Sequence, residues 1–269
     1  MIEKIKLLIN AIWTKMNILE EYTVKQVYIT MACFCRISSI FMMIPIFGES
    51  YFPVRSKILL ALITAFILSP AVGEFYQGLP KSTIGLLFIV VTELIFGFFI
   101  GLVARVIVSS LHVAGTIFAS QSSLSSSMVF DPTNGTQNQV ISSFYTLTLT
   151  TLLFVLDFHH LVIQGISKSY KYLSPGDLSS FSEINATLIK TMSYAIEIGF
   201  KISAPIILIS LLINIGGGIF SKLIPGIHIF FLMTPLQILL ALGLIFLTLI
   251  FVMPWFLEIF TDVISPFLQ

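Results

Sequence analysis

Apolar residues run along this chain in long stretches, at about 27–47, 57–72, 84–108, 141–166, 198–220 and 227–257. A membrane-crossing helix needs about 20 mostly apolar residues, so the pattern predicts six helical spans and an all-α membrane protein. The second stretch, about 16 residues between Lys57 and Gly73, is short enough to be one arm of a helical hairpin. Pro45, Pro70, Pro205, Pro235 and Pro254 interrupt several stretches. Each removes a backbone donor and kinks a helix, which is tolerated where neighbouring helices satisfy the freed carbonyl. Kinked, closely packed helices are expected. Upstream, Ile5, Leu8, Ile9, Ile12, Trp13, Met16 and Leu19 recur at helical spacing, while Lys4, Lys6, Asn10, Lys15 and Asn17 fall mostly elsewhere. That is an amphipathic helix, either lying at a membrane interface or packed against the body of the protein.

Two polar connections break the pattern. The first, at about 109–140, has no Lys, Arg or Glu and is dense in Ser, Thr, Asn and Gln from Ala119 to Val140. Asp131-Pro132 and Asn134-Gly135 are turn formers, because proline fixes φ and Asn-Gly accepts positive φ. A neutral, hydrogen-bonding loop with Met128, Val129 and Phe130 at its turn suits a protein-lined cavity. The second connection, at about 167–197, carries Lys168, Lys171, Asp177, Glu183, Lys190 and Glu197, with Ser174-Pro175-Gly176-Asp177 as a turn, and reads as a solvated segment.

Composition sharpens the membrane reading. Of 269 residues, 57% are hydrophobic and 10% charged, against about 25% charged in an ordinary globular domain. Too few charges remain to cover a soluble surface, so lipid or a large protein partner must face the rest. The net charge of +1 and the scattered basic residues argue against a nucleic-acid binder. Cys33 and Cys35 lie in an apolar run without a second pair, and read as buried, inert thiols. The first apolar stretch carries no cleavage pattern, so no signal peptide is expected. Outside the six stretches, Lys and Arg divide eight against three between the two sides, favouring cytoplasmic termini in a six-span topology.

Ionisable residues within membrane stretches are costly and point to function or to pairing. Arg36, Glu93, Arg105 and Asp157 qualify, and are expected to be buried polar groups with a structural role. Glu93 precedes Gly97 and Gly101, whose spacing lets another backbone approach closely. Two readings stand: a proton or ion site, or a buried structural carboxylate paired with Arg36 or Arg105. Asp157 and His160, three residues apart, would share a helix face. That places a hydrogen-bonded helix end at the interface, since a metal site needs a further ligand. Gly216, Gly217 and Gly218 are either a helix break lining a channel or a close-packing surface. No nucleophile elbow, P-loop, zinc-protease or dinucleotide motif occurs. Catalytic residues, metal and cofactor are therefore not expected.

The ordered set Arg36, Pro45, Arg55-x-Lys57 with Leu60-Ala61, Pro70, the Glu93 to Gly101 motif, Ala114-Gly115, Gln121, Phe130-Asp131-Pro132, Asn134-Gly135-Thr136-Gln137, His159-His160 and Ser169-Tyr170 resembles one family. It is the FliR family, the R/T-type subunits of the type III secretion export gate. Asn134 to Gln137 and the paired histidines resemble the flagellar branch more than the virulence injectisome branch. The resemblance implies kinked helical hairpins packed in a spiral with homologous subunits. Residues 1–190 would be the P-like part and 191–269 a Q-like hairpin. The implied partners are P-type and Q-type subunits (FliP and FliQ), a FlhB-type switch protein, unfolded flagellar export substrates and membrane lipid. The implied location is the bacterial inner membrane, in the flagellar basal body, with the gate core raised toward the periplasmic side.

The family's plug falls on about 122–138, with Ser126, Ser127, Met128, Val129, Phe130, Asp131 and Pro132 as its centre. This chain departs from the family pattern of Gly and large apolar residues by carrying Ser122, Ser123 and Ser126, which makes the plug more polar. A reading of a different class, a stand-alone secondary transporter or ion channel coupled through Glu93 or Asp157, predicts an internal repeat. The two halves show no convincing one.

Overall fold

The computed structural model describes residues 2–48, 52–76, 78–80, 82–122, 140–177, 181–224 and 229–264. Every regular element among them is helical: α1 (Ile2–Met43), α2 (Pro45–Gly48), α3 (Val54–Val72) with a 3-10 turn at Gly73–Phe75, α4 (Thr83–Gln121), α5 (Val140–Val155), α6 (Phe158–Tyr172), α7 (Phe181–Leu223) and α8 (Ile229–Ile264). Five helical segments are long and apolar enough to cross a membrane: Thr23–Met43, Val54–Phe75, Thr83–Gln121, Ile184–Leu223 and Met233–Val263. The fourth apolar stretch of the sequence is a sixth candidate, broken into α5 and α6.

The chain divides into two compact units. The first holds residues 1–102, 160–182 and 267–269; the second holds 103–159 and 183–266. In the first, α1 and α3 form an antiparallel hairpin. Gln26 Nε2 donates to Ser69 Oγ at 3.1 Å, and Ile29 packs beside Gly73, so the middle of α1 meets the end of α3. The short second stretch is thus a hairpin arm, lengthened by the 3-10 turn to 22 residues. The amphipathic N-terminal segment continues into the first span without a break, as one helix of 42 residues. Pro45 does not kink a helix. It opens α2 after a break at Ile44, whereas Pro70, Pro205, Pro235 and Pro254 lie inside α3, α7 and α8.

In the second unit, α5 packs on α4 where Gly115 faces Ser142, whose Cα would lie 2.5 Å from an added Cβ. Tyr145 of α5 and Thr248 of α8 share a buried hydroxyl–hydroxyl hydrogen bond of 2.7 Å. Gly199 of α7 faces the Ser110 carbonyl of α4, and Asn214 accepts from Gln237 of α8 at 3.1 Å. Ser210 donates to Gln121 Oε1 at 2.6 Å, fixing the last residue of α4 to α7.

Three expectations are corrected here. The stretch 109–121 is the last three turns of α4 and not a connection. Its hydroxyls donate to carbonyls three or four residues back, Ser109 to Val106, Ser110 to Ile107, Thr116 to His112 and Ser120 to Ile117, so polar side chains sit in an apolar helix without leaving donors unpaired. Most of 167–197 is helical as well, because α6 runs to Tyr172 and α7 begins at Phe181. The expected turn is there: Ser174 O accepts from Asp177 N at 3.2 Å, and Gly176 takes φ +78° after Pro175. Finally, Asp157 and His160 do not share a helix face. Asp157 sits at the break between α5 and α6 with φ +57°, a left-handed conformation that Asp tolerates and that ends a helix.

Helix approach at Gly115 gives a direct test. Gly115→Ala pushes a methyl into the Ser142 backbone and is expected to destabilise by about 1–3 kcal/mol. Gly216→Ala, at a helical position with no neighbour within 4 Å, is expected to be neutral or stabilising by up to about 1 kcal/mol. Thermal unfolding of the purified protein in detergent reads both, and equal midpoints for the two variants would contradict this packing.

Candidate functional site

The first unit is organised around a charge pair that no nearest-neighbour rule could specify. Arg36 lies on α1 and Glu93 on α4, and both side chains are fully buried. Arg36 Nε donates to Glu93 Oε2 at 2.6 Å and Nη2 to Oε1 at 3.0 Å, a two-pronged pairing that matches the guanidinium fork to the carboxylate. The remaining donors reach α6. Nη2 also donates to the Leu173 carbonyl at 2.8 Å, and Nη1 to Ser169 Oγ at 3.3 Å, while Ser169 donates onward to the Ile166 carbonyl. The last carbonyls of a helix have no partner within it and carry partial negative charge. Arg36 therefore pairs Glu93 and caps α6 with one group.

Aromatic rings close the cluster. The guanidinium carbon lies 3.8 Å from the Tyr170 ring centroid and 5.4 Å from that of Phe96. Tyr170 packs against Tyr76 and Phe75, and Tyr76 meets Tyr28 edge-on. Burial holds the Tyr76 phenol above its ordinary pKa, with Tyr170 and Glu93 adding to the effect, so it stays protonated. Cys33 is buried with its sulfur 4.0 Å from the Tyr76 oxygen, whereas Cys35, expected to be buried, is half-exposed. Tyr76 also lines an open cleft of about 940 Å³ between the α3–α4 connection and the turn after α6, with Tyr28, Glu74, Phe88, Pro175 and Asp177.

The glycine spacing after Glu93 explains how α1 comes close enough. A Cβ on Gly97 would meet the Arg36 carbonyl and Ser39 Oγ, and one on Gly101 would meet Met43 Cβ at 2.5 Å and the Ile40 carbonyl at 3.1 Å. One turn after the carboxylate, the helix surface is bare, and the backbone that carries Arg36 lies in the gap. Close approach and charge pairing are thus one arrangement.

The other predicted residues separate from this cluster. Arg105 and Asp157, expected to be buried, are both exposed, because α4 turns Arg105 to its outer face and Asp157 protrudes at a helix break. Asp157 Oδ1 lies 3.8 Å from His159 Nε2. Gly216, Gly217 and Gly218 lie within an unbroken α7, where Gly217 faces Met233 of α8 and the other two face open space. Ser126, Ser127, Met128, Val129, Phe130, Asp131 and Pro132 lie outside the described residues. Sequence reading left the partner of Glu93 open and missed the contacts of Ser169, Tyr170 and Leu173 with Arg36. The Ser-Tyr pair at the end of α6 was visible as a motif, but nothing local connects it to a residue 133 positions away.

Removing one member of a buried ion pair leaves the other charged and desolvated, at a cost of about 3–5 kcal/mol. Glu93→Leu is therefore expected to lower the unfolding midpoint of the detergent-purified protein severely, and Glu93→Gln less, since the amide oxygen still accepts from Arg36. The double variant Arg36→Met/Glu93→Leu is expected to lose less than the sum of the single variants. Strict additivity in that cycle would show that the two side chains do not interact.

The chain also has known counterparts. The family described as bacterial export proteins, family 1, matches residues 27–263. The flagellar biosynthetic protein FliR of Caulobacter vibrioides is 31% identical over 227 residues, which is 84% of this chain and 90% of that protein. The proteins of the same name from Aquifex aeolicus and Bacillus subtilis are 30% and 29% identical, over 80% and 76% of this chain and 81% and 80% of their own lengths. Extended similarity to proteins of one name, over nearly all of the helical body, decides the assignment: the chain belongs to the bacterial export proteins, family 1, together with the flagellar FliR proteins.

Proposed function

We propose that this protein is a structural and gating subunit of the flagellar type III protein export gate in the bacterial inner membrane. The observation that carries the reading is the family match from residue 27 to 263, with FliR relatives aligned over most of their lengths. The physical character of the chain supports it. Of the most apolar window of each spanning segment in α7 and α8, 28% and 22% is buried within the chain itself. Those faces need covering, and in this reading P-type and Q-type subunits (FliP and FliQ), a FlhB-type switch protein and lipid supply the cover. Residues 1–190 act as the P-like part and 191–269 as the Q-like hairpin, with the gate core raised toward the periplasmic side.

The neutral segment around 122–138 acts as the plug of the export channel. Its upstream end is held where Gln121 accepts from Ser210 of α7, so the segment leaves a fixed point. Met128, Val129 and Phe130 fill the pore by van der Waals contact, and the Ser and Asn side chains satisfy exposed backbone. Flexible Met and small Ser side chains cost little to displace when an unfolded substrate enters. A stand-alone transporter coupled through Glu93 fits less well, because that carboxylate is engaged by Arg36 on both oxygens. Asp157, the other candidate, is exposed at a helix break.

Deleting about Ser125 to Pro132 is expected to make cells leak ions and small solutes while the export complex still assembles. Membrane permeability, measured in cells whose complex is shown intact by native electrophoresis, decides the matter. Unchanged permeability in an assembled complex would sink the plug assignment, and a protein that is monodisperse alone and moves a small solute in liposomes would sink the export reading altogether.

A further inference from the structure

The outer face of α4 changes character along its length. From Ile84 to Phe98 the exposed residues are Ile84, Leu86, Leu87, Phe88, Val91, Leu94, Ile95 and Phe98, all of them apolar. From Val103 to Gln121 the exposed residues are Arg105, Ser109, His112 and Ser120, all of them polar. These four, with half-exposed Thr116, follow a spacing of four, three, four and four residues and so form a single stripe, about 22 Å long at the helical rise. The stripe lies in a helix that is otherwise apolar enough to cross a membrane.

Three classes of surroundings could meet such a stripe. Lipid is excluded by Arg105, because a guanidinium facing hydrocarbon is costly and no carboxylate among the described residues pairs with it. The core of a subunit interface is built on aromatic, Met and Arg anchors set among apolar side chains; of these the stripe has only Arg105, its other exposed residues are hydroxyls and an imidazole, and the half-exposed Val106, Val113 and Ile117 run along one edge. Water fits each position. Ser109 and Ser120 donate to the carbonyls of Val106 and Ile117, so outward they offer oxygen lone pairs that hydrated groups can use and leave freely.

We propose that the Arg105, Ser109, His112 and Ser120 face of α4 is a wall of the aqueous passage through which an unfolded polypeptide moves. The inference rests on the export reading above and names the surface that reading needs. An unfolded chain in transit carries unpaired backbone N–H and C=O groups. A wall of hydroxyls, imidazole and guanidinium lets these groups stay hydrated, and the lack of apolar anchors gives a passing segment nowhere to stick. The apolar face from Ile84 to Phe98 serves the opposite purpose, contact with lipid or sister subunits.

The test uses the full export complex with a substrate stalled by fusion to a rapidly folding domain. A photo-crosslinking residue at Ser109 or Ser120 is expected to capture the stalled chain several-fold more than one at Leu94 or Phe98. Crosslinks from Ser109 and Ser120 only to other subunits or lipid, or no excess over Leu94, overturn the proposal. Where the crosslinker blocks assembly, Ser109→Cys and Ser120→Cys in a Cys33→Ala/Cys35→Ala background replace it. Labelling by a membrane-impermeant maleimide is then expected to slow when the substrate is stalled, and labelling indifferent to the stalled chain, as for a face in bulk water, overturns the proposal too. A crosslinker at Phe130 separates the two readings. Capture there without capture at Ser109 or Ser120 removes this wall and leaves the export reading standing, and capture at no position removes both.

Discussion

The first unit depends on the burial of one guanidinium. An arginine in an apolar helix is tolerable only when every strong donor finds an acceptor and its charge finds an opposite charge. Arg36 comes close to that demand, with four hydrogen bonds from its five N–H groups, by drawing together three helices: the carboxylate of Glu93 on α4, the hydroxyl of Ser169 on α6 and the Leu173 carbonyl at the end of α6. The glycines at 97 and 101 are the steric counterpart, since a side chain at either position would collide with α1. A hydrophobic contact would allow α1 and α4 to slide or rotate with little penalty. A two-pronged ion pair fixes register and rotation, because the fork meets the carboxylate in few orientations. Such a pair adds little to net stability and much to the definition of a single packing.

Polar groups elsewhere are handled by short hydrogen bonds. Ser and Thr side chains on α4 and α5 donate to the backbone a turn behind them, for example Thr148 to Phe144 and Thr151 to Leu147. Each thereby hides its proton from an apolar environment while its oxygen keeps a lone pair for a partner. This lets one helix carry polar residues along a membrane-competent length. It also explains why 109–121 imitates a loop in composition while remaining a helix. In the second unit, helix contacts combine glycine faces with paired polar groups, as at Gly115 with Ser142, Tyr145 with Thr248 and Gln121 with Ser210.

These features suit a subunit that is incomplete alone. Large apolar side chains such as Phe231, Leu239, Phe246 and Phe251 on α8 are widely exposed in the chain, in keeping with a role inside an assembly and a lipid bilayer. In the second half of α4, by contrast, the exposed residues are all polar.

How far the amino-acid sequence determined this protein follows from the range of each interaction. Apolar length fixed the spanning helices, the Pro-Gly order fixed the turn at Ser174 to Asp177, and the small-residue spacing marked the close approach at Gly97 and Gly101. Each of these depends on residues that are close together or continuous in the chain. The partner of Glu93, the cap that Arg36 places on α6, the break at Asp157 and the outward turn of Arg105 were decided by tertiary structure. Glu93 lies 57 residues from Arg36 and Leu173 lies 137 away, so their meeting depends on the rotation and register of packed helices. Hydropathy does not distinguish Arg36, fully buried, from Arg105, on the outer face of α4. The difference is that one helix face is closed by α4 and α6, and the other is left uncovered by the chain's own helices.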